Sequence, residues 1–327
     1  MKILFSADWH VKLGQDKVPK QFQKNRFLRL ADRLDEIYKE HNCDLHIIGG
    51  DILDVADPST EELELMYACL SIMKQQKGMI YTGNHEMLSK TISCLSHLAD
   101  NIKEASQGNW EVVGAIRSPE FDIVDYVELK KAKWKPAQSK LCFSHVRGEI
   151  PPHVTFEVEP ELFKEWGLVV CGDLHSYKNT QTVGDTIFAY PGSPLTTSFH
   201  RERTIKTNGA FIVDTDTLEL TWIELGDLPQ LIRKTITSPD DMVEDAYDRV
   251  IYEVTGNVEE LRKVKDSELL DKRLNNKVTK DAKLDLTDKT HEEELAIYLE
   301  EVQGIEKSSI PRLVSLALEI KKSCQTS

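Results

Sequence analysis

The sequence predicts an α/β fold built in layers, and three observations predict it. Short apolar strands alternate with amphipathic helices over residues 2–82, and a strand-rich stretch follows from about residue 110. Near Gly226 the texture turns highly charged, and two amphipathic helical segments come after it. At 327 residues the chain exceeds the size at which one core usually stops growing, so one large domain with one or two appendages is expected.

Residues 2–7 read as a short strand, and Phe27, Leu30, Ala31, Leu34, Ile37 and Tyr38 then recur at helical spacing. Residues 44–50 are a second apolar strand ending in Gly49 and Gly50. Ser59-Thr60-Glu61-Glu62 is a capping box that starts a helix running to about Gln76, and residues 78–82 form a third strand. Further strands are expected over 121–129, 141–144, 168–171, 186–190, 209–213 and 218–225, the last two joined by the polar turn Asp214-Thr215-Asp216-Thr217. The stretch 226–288 shows few strong strands and reads as a small α/β appendage or a partly mobile one. Amphipathic helices follow over 291–302 and 309–322, separated by Gly304 and Ser308-Ser309.

Composition narrows the functional classes. With 41 basic against 55 acidic residues the net charge is −14, which argues against binding a polyanion through the overall field, although local patches or bound cations reverse that argument. No apolar run approaches the ~20 residues that cross a bilayer. Met1-Lys2-Ile3-Leu4-Phe5 runs straight into Asp8 with no signal-peptide character, so membrane and secreted classes are not expected. Cys43, Cys69, Cys94, Cys142, Cys171 and Cys324 are scattered without a CxxC pair and read as reduced thiols in a cytoplasm.

The informative pattern is where ligand-type side chains fall. Asp8-Trp9-His10 follows the first strand, Asp51 the second, and Asn84-His85 the third after Gly83. His145 follows strand 141–144, and Asp173-Leu174-His175 follows strand 168–171 after Gly172. Layered α/β folds bind ligands beyond the carboxyl ends of their strands, so these residues can converge. The glycines let the backbone turn sharply as it leaves the sheet. Two divalent cations roughly 4 Å apart need a bridging carboxylate with imidazole and oxygen ligands, and Asp, His and Asn are that mixture. Alone, a DxH or GNH is more often a satisfied histidine or a capping aspartate; five in order, each at a strand end, point to a metal centre.

In that order, DxH, GD, GNH, a lone His and a GxxH-like tail resemble the calcineurin-like metallophosphoesterase superfamily. Gly50-Asp51-Ile52-Leu53-Asp54 and Tyr190-Pro191-Gly192-Ser193-Pro194-Leu195-Thr196-Thr197-Ser198-Phe199 resemble, within it, the SbcD-type nuclease subunits of SbcC–SbcD recombination and repair complexes, and shortness and divergence suggest a bacteriophage version. The resemblance covers roughly residues 1–225 by motif. It implies a β-sandwich flanked by helices over 1–225, a small capping or DNA-contact domain over 226–288 and a partner-binding helix pair over 289–327.

The resemblance also implies roles. Asp8, His10 and His175 would hold one metal, Asp51 would bridge, and Asn84, His145 and Asp173 would hold the second; manganese is expected, then magnesium. His85 would assist the leaving group, with the Asp54 side chain helping to orient it. An imidazole directly after a ligand lies beside the phosphate without binding metal, which suits proton donation to a departing 3′ oxygen. The family's tail is usually GHxH, so Asp173 puts a carboxylate where an imidazole is expected and hardens the site toward manganese or magnesium. Glu86 replaces the usual aspartate after GNH, a change expected to matter little.

Leu129-Lys130-Lys131-Ala132-Lys133-Trp134-Lys135 is the most basic stretch; Lys130, Lys131, Lys133 and Lys135, with Arg201 and Arg203, are candidate DNA contacts, against the plain reading of a solvated loop. The segment around Ser193 lacks a GxSxG elbow and reads as a structural loop near the metals. Ile310, Leu313, Val314, Ala317 and Ile320, preceded by Leu295, Tyr298, Leu299 and Val302, give the terminal helices an apolar face. By resemblance that face grips the coiled coil of an SbcC-type ATPase, in a heterotetramer around a nuclease homodimer. There is no Walker A motif, so ATP dependence would come from that partner. The function implied is 3′-to-5′ exonuclease action on duplex DNA and endonuclease action on single strands. The rivals are a phosphatase or cyclic-nucleotide phosphodiesterase, and a non-catalytic scaffold.

Overall fold

Apolar residues at nearly every position of the first strands give them two buried faces, and each face finds its own partner layer. The computed structural model describes residues 1–201, 206–256, 258–274 and 289–325, and the chain divides into two units, Met1–Arg273 and Leu274–Ser327. In the first unit, β1 (Lys2–Ser6), β2 (Leu45–Gly49), β3 (Gly78–Tyr81) and β4 (Trp110–Val112) lie side by side in parallel. The sheet continues on the other side of β1 with antiparallel β11 (Gly209–Asp214) and β12 (Leu220–Glu224). Leu4, Ile48, Ile80 and Ile212 face α1 (Lys20–Glu40), α2 (Thr60–Ile72) and α3 (Cys94–Ala105), packing with Phe27, Leu30, Leu34, Leu65, Leu95 and Ile102. The alternate residues Ile3, Phe5, Leu45 and Ile47 face a second sheet.

That second sheet has the order β5 (Asp122–Val124), β6 (Leu141–His145), β7 (Leu168–Gly172), β9 (Thr186–Ala189), β8 (Gln181–Val183). Ile123, Leu141, Phe143, Leu168 and Val170 close the shared layer; Phe5 stacks on Phe143 at 5.4 Å, and Tyr81 Oη donates to the Ser144 carbonyl at 2.8 Å. On its outer face Cys142, Val169 and Phe188 pack with Phe163 and Trp166. The result is the expected β-sandwich with helices on its flank. It sets the carboxyl ends of β1, β2 and β3 beside those of β6 and β7, which is what positions the site.

Several elements differ from the sequence reading. The expected strand 121–129 stops at Val124, because the Asp125 side chain accepts the Glu128 N–H and caps a single helical turn, α4 (Tyr126–Leu129). The capping box at Ser59 and Glu62 forms, but α2 ends at Ile72. The helix α3, capped by Ser93, and the strand β4 carry no expectation from the sequence. Trp134, which interrupts the basic stretch, packs at 4.9 Å against Phe163 and belongs to the core rather than to a nucleic-acid surface.

Within the stretch read as poor in strands, β13 (Leu231–Ile236), β14 (Arg249–Gly256) and β15 (Leu270–Leu274) join β10 (His200–Arg201) in a four-stranded sheet around Ile232, Val250, Tyr252 and Val254, beside α5 (Val258–Lys263). The fully buried Arg26 of α1 ties this sheet's approach to the sandwich: it donates to the carbonyls of Pro229 at 2.7 Å and Thr196 at 2.9 Å. Burial lowers its guanidinium to about 9. The second unit holds α6 (His291–Glu301), with a capping box at Thr290 and Glu293, and α7 (Ile310–Gln325). Tyr298, Val302, Leu313 and Leu316 of this unit are exposed; the side chain of Ile320 lies outside the described residues. Among the described residues no helix is long and apolar enough to cross a membrane. Five described cysteines are free and buried.

Candidate metal centre

Every ligand-type residue singled out at a strand end arrives at one cleft. Asp8 and His10 come off β1, Asp51 off β2, Asn84 and His85 off β3, His145 closes β6, and Asp173 and His175 follow β7. The turns that deliver them are tight: Asp8, His10, Asp51 and Asp173 have φ of 57°, 49°, 51° and 92°. Asp and His tolerate this left-handed region better than most residues. Here backbone contacts hold it in place, with the Asp8 N–H on the Gly50 carbonyl at 3.1 Å and the His10 N–H on that of Asp51 at 2.9 Å. Asp173 donates its N–H to Asp8 Oδ1 at 2.9 Å.

The glycines do less turning than expected and more making of room. Gly50 has φ +84°, and a Cβ there would also lie 2.6 Å from His145 Nδ1. Gly83 is different: it is absent from the left-handed region, and its need is space, since a Cβ would stand 2.3 Å from Asp51 Oδ1.

Four imidazoles share one arrangement, with Nδ1 beside a protein oxygen and Nε2 toward the cleft. His145 Nδ1 lies 2.8 Å from the Gly49 carbonyl, His85 Nδ1 2.5 Å from that of Asp54, His10 Nδ1 3.1 Å from Asp54 Oδ1, and His175 Nδ1 3.4 Å from Thr197 Oγ1. A proton held on Nδ1 leaves the Nε2 lone pair free for a metal, as at His145 and His85; His10 Nδ1 lies close to Asp54 without a hydrogen bond to it. His10 Nε2 and His175 Nε2 are 3.1 Å apart, Asp51 Oδ2 stands 3.2 Å from His145 Nε2 and 3.7 Å from His10 Nε2, and Asp8 Oδ1 is 3.8 Å from His175 Nε2. Three sets of ligand atoms lie within 4.8 Å of one another: Asp8, His10 and His175; His10, Asp51 and His85; and Asp8, Asp51 and His145.

Asn84 supplies the test of whether a cation fits. Its amide oxygen is 2.9 Å from His145 Nε2, and the same amide position is 3.2 Å from both Asp51 Oδ2 and Asp173 Oδ1. With protein groups alone the amide would turn over so that its NH2 donates to those carboxylates. An amide oxygen, two carboxylate oxygens and an imidazole nitrogen around one point satisfy a divalent cation instead. The residues fit the group.

Electrostatics says the same. Burial pushes the Asp8 carboxyl up to about 8 against the attraction of His145. Burial would raise Asp51 as well, yet the charge and hydrogen bond of His145, then His10 and the His85 N–H, hold it below the usual carboxylate range. Burial would lower His145, but Asp51, Asp8 and Asp173 keep it well above the usual imidazole range, whereas burial and His10 bring His175 down to about 3.

The remaining sequence candidates separate. Asp54 does orient His85, but through its backbone carbonyl; its carboxylate faces His10 and accepts from Lys12 Nζ at 3.1 Å. Asp173 presents Oδ1 to Asn84, and both its oxygens accept from Arg147. Ser193 Oγ donates to the Asp8 carbonyl at 2.7 Å, the structural part expected of its loop. Lys130 pairs with Glu157, while Lys131, Lys133 and Lys135 are exposed. Arg201 forms part of β10, and Arg203 lies outside the described residues.

Glu86, expected to matter little, is fully buried and accepts the backbone N–H groups of Asp51, Leu53 and Gly83 at 3.1, 3.0 and 2.8 Å. It thus fastens the turn after β2 to the turn after β3. Burial, reinforced by Asp51, pushes its carboxyl up to about 7. Arg147 is the other residue the sequence reading passed over; its position two residues after His145 was the available signal.

A sandwich of two sheets with these ligand groups at one rim defines a metallophosphoesterase, and the chain belongs to the calcineurin-like phosphoesterase family, whose profile matches residues 1–162. It is 60% identical over 323 residues to the "Probable exonuclease subunit 1" of Escherichia phage T5, covering 98% of this chain and 99% of that one. It is 24% identical over 248 residues to the DNA double-strand break repair protein Mre11 of Methanopyrus kandleri, covering 66% of this chain and 54% of that protein. Among solved structures, TT1561 of Thermus thermophilus aligns over 68% of this chain and 98% of its own, at 9% identity and a TM-score of 0.43.

Proposed function

We propose that the chain is a two-metal DNA nuclease that hydrolyses phosphodiester bonds. The observation that carries the reading is the convergence of four imidazole Nε2 atoms with the carboxylates of Asp8 and Asp51 at one sheet edge. The 60% identity to a phage protein named an exonuclease subunit favours DNA over a phosphoprotein or cyclic nucleotide. Asp8, His10, Asp51 and His175 would hold one cation, and Asp51, Asn84, His145 and Asp173 the other, with manganese preferred to magnesium for this mix of imidazole and oxygen. What bound divalent cations supply to such a site is Lewis acidity toward water and a phosphoryl group.

The chain's own residues do the rest. His85 is 39% exposed in its side chain, with Nε2 4.0 Å from Asp51 Oδ2. The Asp54 carbonyl keeps its Nδ1 proton in place, so Nε2 is the atom that meets the substrate. Carrying a second proton on Nε2, as the imidazolium, it would hydrogen-bond a phosphoryl oxygen or pass that proton to the leaving 3′ oxygen, returning to the neutral ring protonated on Nδ1. Glu86 and Asp54 keep the turns and rings in register.

Cleavage runs 3′ to 5′ on duplex ends and endonucleolytically on single strands. The stretch 226–288, of which 257 and 275–288 lie outside the described residues, is assigned as a small capping or DNA-contact domain, and 289–327 as the part that binds an SbcC-type coiled-coil ATPase in a complex around a nuclease homodimer; the exposed Tyr298, Val302, Leu313 and Leu316 support that last assignment. The setting is the host cytoplasm. The test is manganese-dependent cleavage of an end-labelled duplex, with and without such an ATPase and ATP, beside His85→Gln. Cutting that needs manganese and His85 and rises with the partner supports the reading. A wild-type protein that hydrolyses small phosphoesters but never DNA would overturn it in favour of a phosphatase.

A further inference from the structure

Arg147 follows His145 by two residues at the mouth of the centre, with 44% of its side chain exposed. Its Nε donates to Asp173 Oδ2 at 2.9 Å and its Nη2 to Asp173 Oδ1 at 3.2 Å, a two-point grip that fixes the plane of the guanidinium. Asp173 is itself anchored, through its N–H on Asp8 and its Oδ1 facing Asn84. The cation is therefore held relative to the metal ligands themselves.

The array continues outward. Glu157 Oε2 accepts the Arg147 backbone N–H at 3.4 Å, and Glu157 Oε1 takes Lys130 Nζ and, at 2.5 Å, Tyr126 Oη. Lys130 Nζ also stands 4.4 Å above the Tyr126 ring. Two cations, each fixed by a carboxylate, thus run from the metal centre along one rim. Pairing the largely buried carboxylates, 6% exposed in Asp173 and 12% in Glu157, does not account for the exposure of the cations, 44% in Arg147 and 35% in Lys130. A polyanionic substrate does, since a chain of net charge −14 needs fixed local cations to hold one.

We propose that Arg147, positioned by Asp173, grips a DNA backbone phosphate beside the one being cut, and that Lys130 takes the next along the same strand. Guanidinium suits this because its fork can hold a carboxylate on one edge and a phosphate on the other. The proposal rests on the nuclease reading above and adds to it a direction in which the strand leaves the site.

The test is fluorescence anisotropy of a short labelled duplex and single strand in EDTA over a range of KCl, for the full chain, Arg147→Ala, Arg147→Lys and Lys130→Ala. Arg147→Ala is expected to weaken binding roughly tenfold and to flatten the log–log salt slope by about one; Arg147→Lys should keep the slope while losing affinity a few-fold. Lys130→Ala should flatten the slope independently. Manganese stoichiometry, measured by electron paramagnetic resonance, should not change in Arg147→Ala. Wild-type affinity and slope in Arg147→Ala would overturn the proposal, as would loss of a manganese equivalent with metal-free DNA binding intact. If wild type cuts DNA in either case, the nuclease reading stands; a wild type that neither binds nor cuts DNA removes both.

Discussion

Glu86 Oε2 accepts the backbone N–H of Asp51 at 3.1 Å, so the residue after His85 holds the main chain of the carboxylate proposed to bridge the metals. With Leu53 and Gly83 also on this carboxylate, three donors converge where glutamine offers one oxygen and an NH2 that repels them. Glu86→Gln is expected to lower stability by about 1–3 kcal/mol in urea denaturation. It should weaken manganese binding ~10–100-fold in titration calorimetry, as losses of groups that support metal ligands do. An unchanged metal affinity would mean the turns hold without it.

Gly83→Ala is a sharper probe of the same turn. Its Cβ would stand 2.3 Å from Asp51 Oδ1, so the Asp51 carboxylate must move. Manganese binding is expected to fall at least as far as in Glu86→Gln while the circular dichroism spectrum stays that of a folded protein. Native metal affinity would show that the turn can relax.

His85→Gln separates chemistry from assembly. General acid–base groups contribute about 10²–10⁴ in rate, so DNA cleavage should drop within that range. Manganese stoichiometry should not change, because His85 is not among the residues proposed to hold either cation. Loss of a metal equivalent would make His85 a ligand instead.

How much of this was legible in the sequence follows from how local each feature is. The ligand-type residues were readable because each sits within a few residues of a strand end, and strands announce themselves by apolar runs. Glu86 was not, because its work is done on amides from two turns that only folding brings together. Asp54 lies beside His85, but spacing cannot tell a carbonyl from a carboxylate. Asp125 hid a helical turn inside an apolar run, and Trp134 looked like a stacking aromatic until Phe163, 29 residues later in sequence, closed over it. The Arg147–Asp173 pair spans two strands of one sheet, beyond any linear motif.

A pH effect is expected far from the site. His46, fully buried, lies with Nδ1 2.7 Å from Gln76 Oε1 and Nε2 3.0 Å from Ser6 Oγ, and burial lowers its pKa from 6.5 to about 4. Between those values the unfolded chain binds the proton and the folded one does not, so stability rises with pH. The contribution is complete above pH 6.5 and is lost as pH falls toward 4, with about 2 kcal/mol gone by about pH 5. Urea midpoints of wild type should fall more steeply from about pH 7 to about pH 5 than those of His46→Gln. Parallel slopes would show that the ring takes up its proton equally in the folded and unfolded chain.

Metal should also stabilise the fold. Asp8 and Asp51 crowd buried carboxylates against imidazoles whose preferred protonation states conflict. A cation bound to the native state alone raises stability by about 2.7 kcal/mol at a hundredfold excess over its dissociation constant. Manganese should raise the melting temperature of wild type, and less so of Asp51→Asn. Equal shifts would place the binding elsewhere.

The first strand of the chain lies in the middle of its sheet, with β2 on one side and β11, some two hundred residues later, on the other. Such pairing makes folding slow and non-local, since the early strand waits for a late neighbour. During synthesis, Asp8 and His10 leave the ribosome long before His145, Asp173 and His175 exist to meet them, and the sheet cannot complete until residue 224 has emerged. A chain that stops before His145 therefore carries only part of the candidate metal centre and, on the proposed mechanism, cannot cut. For the proposed nuclease, made in the same compartment as DNA it could damage, the order of its strands is itself a safety catch.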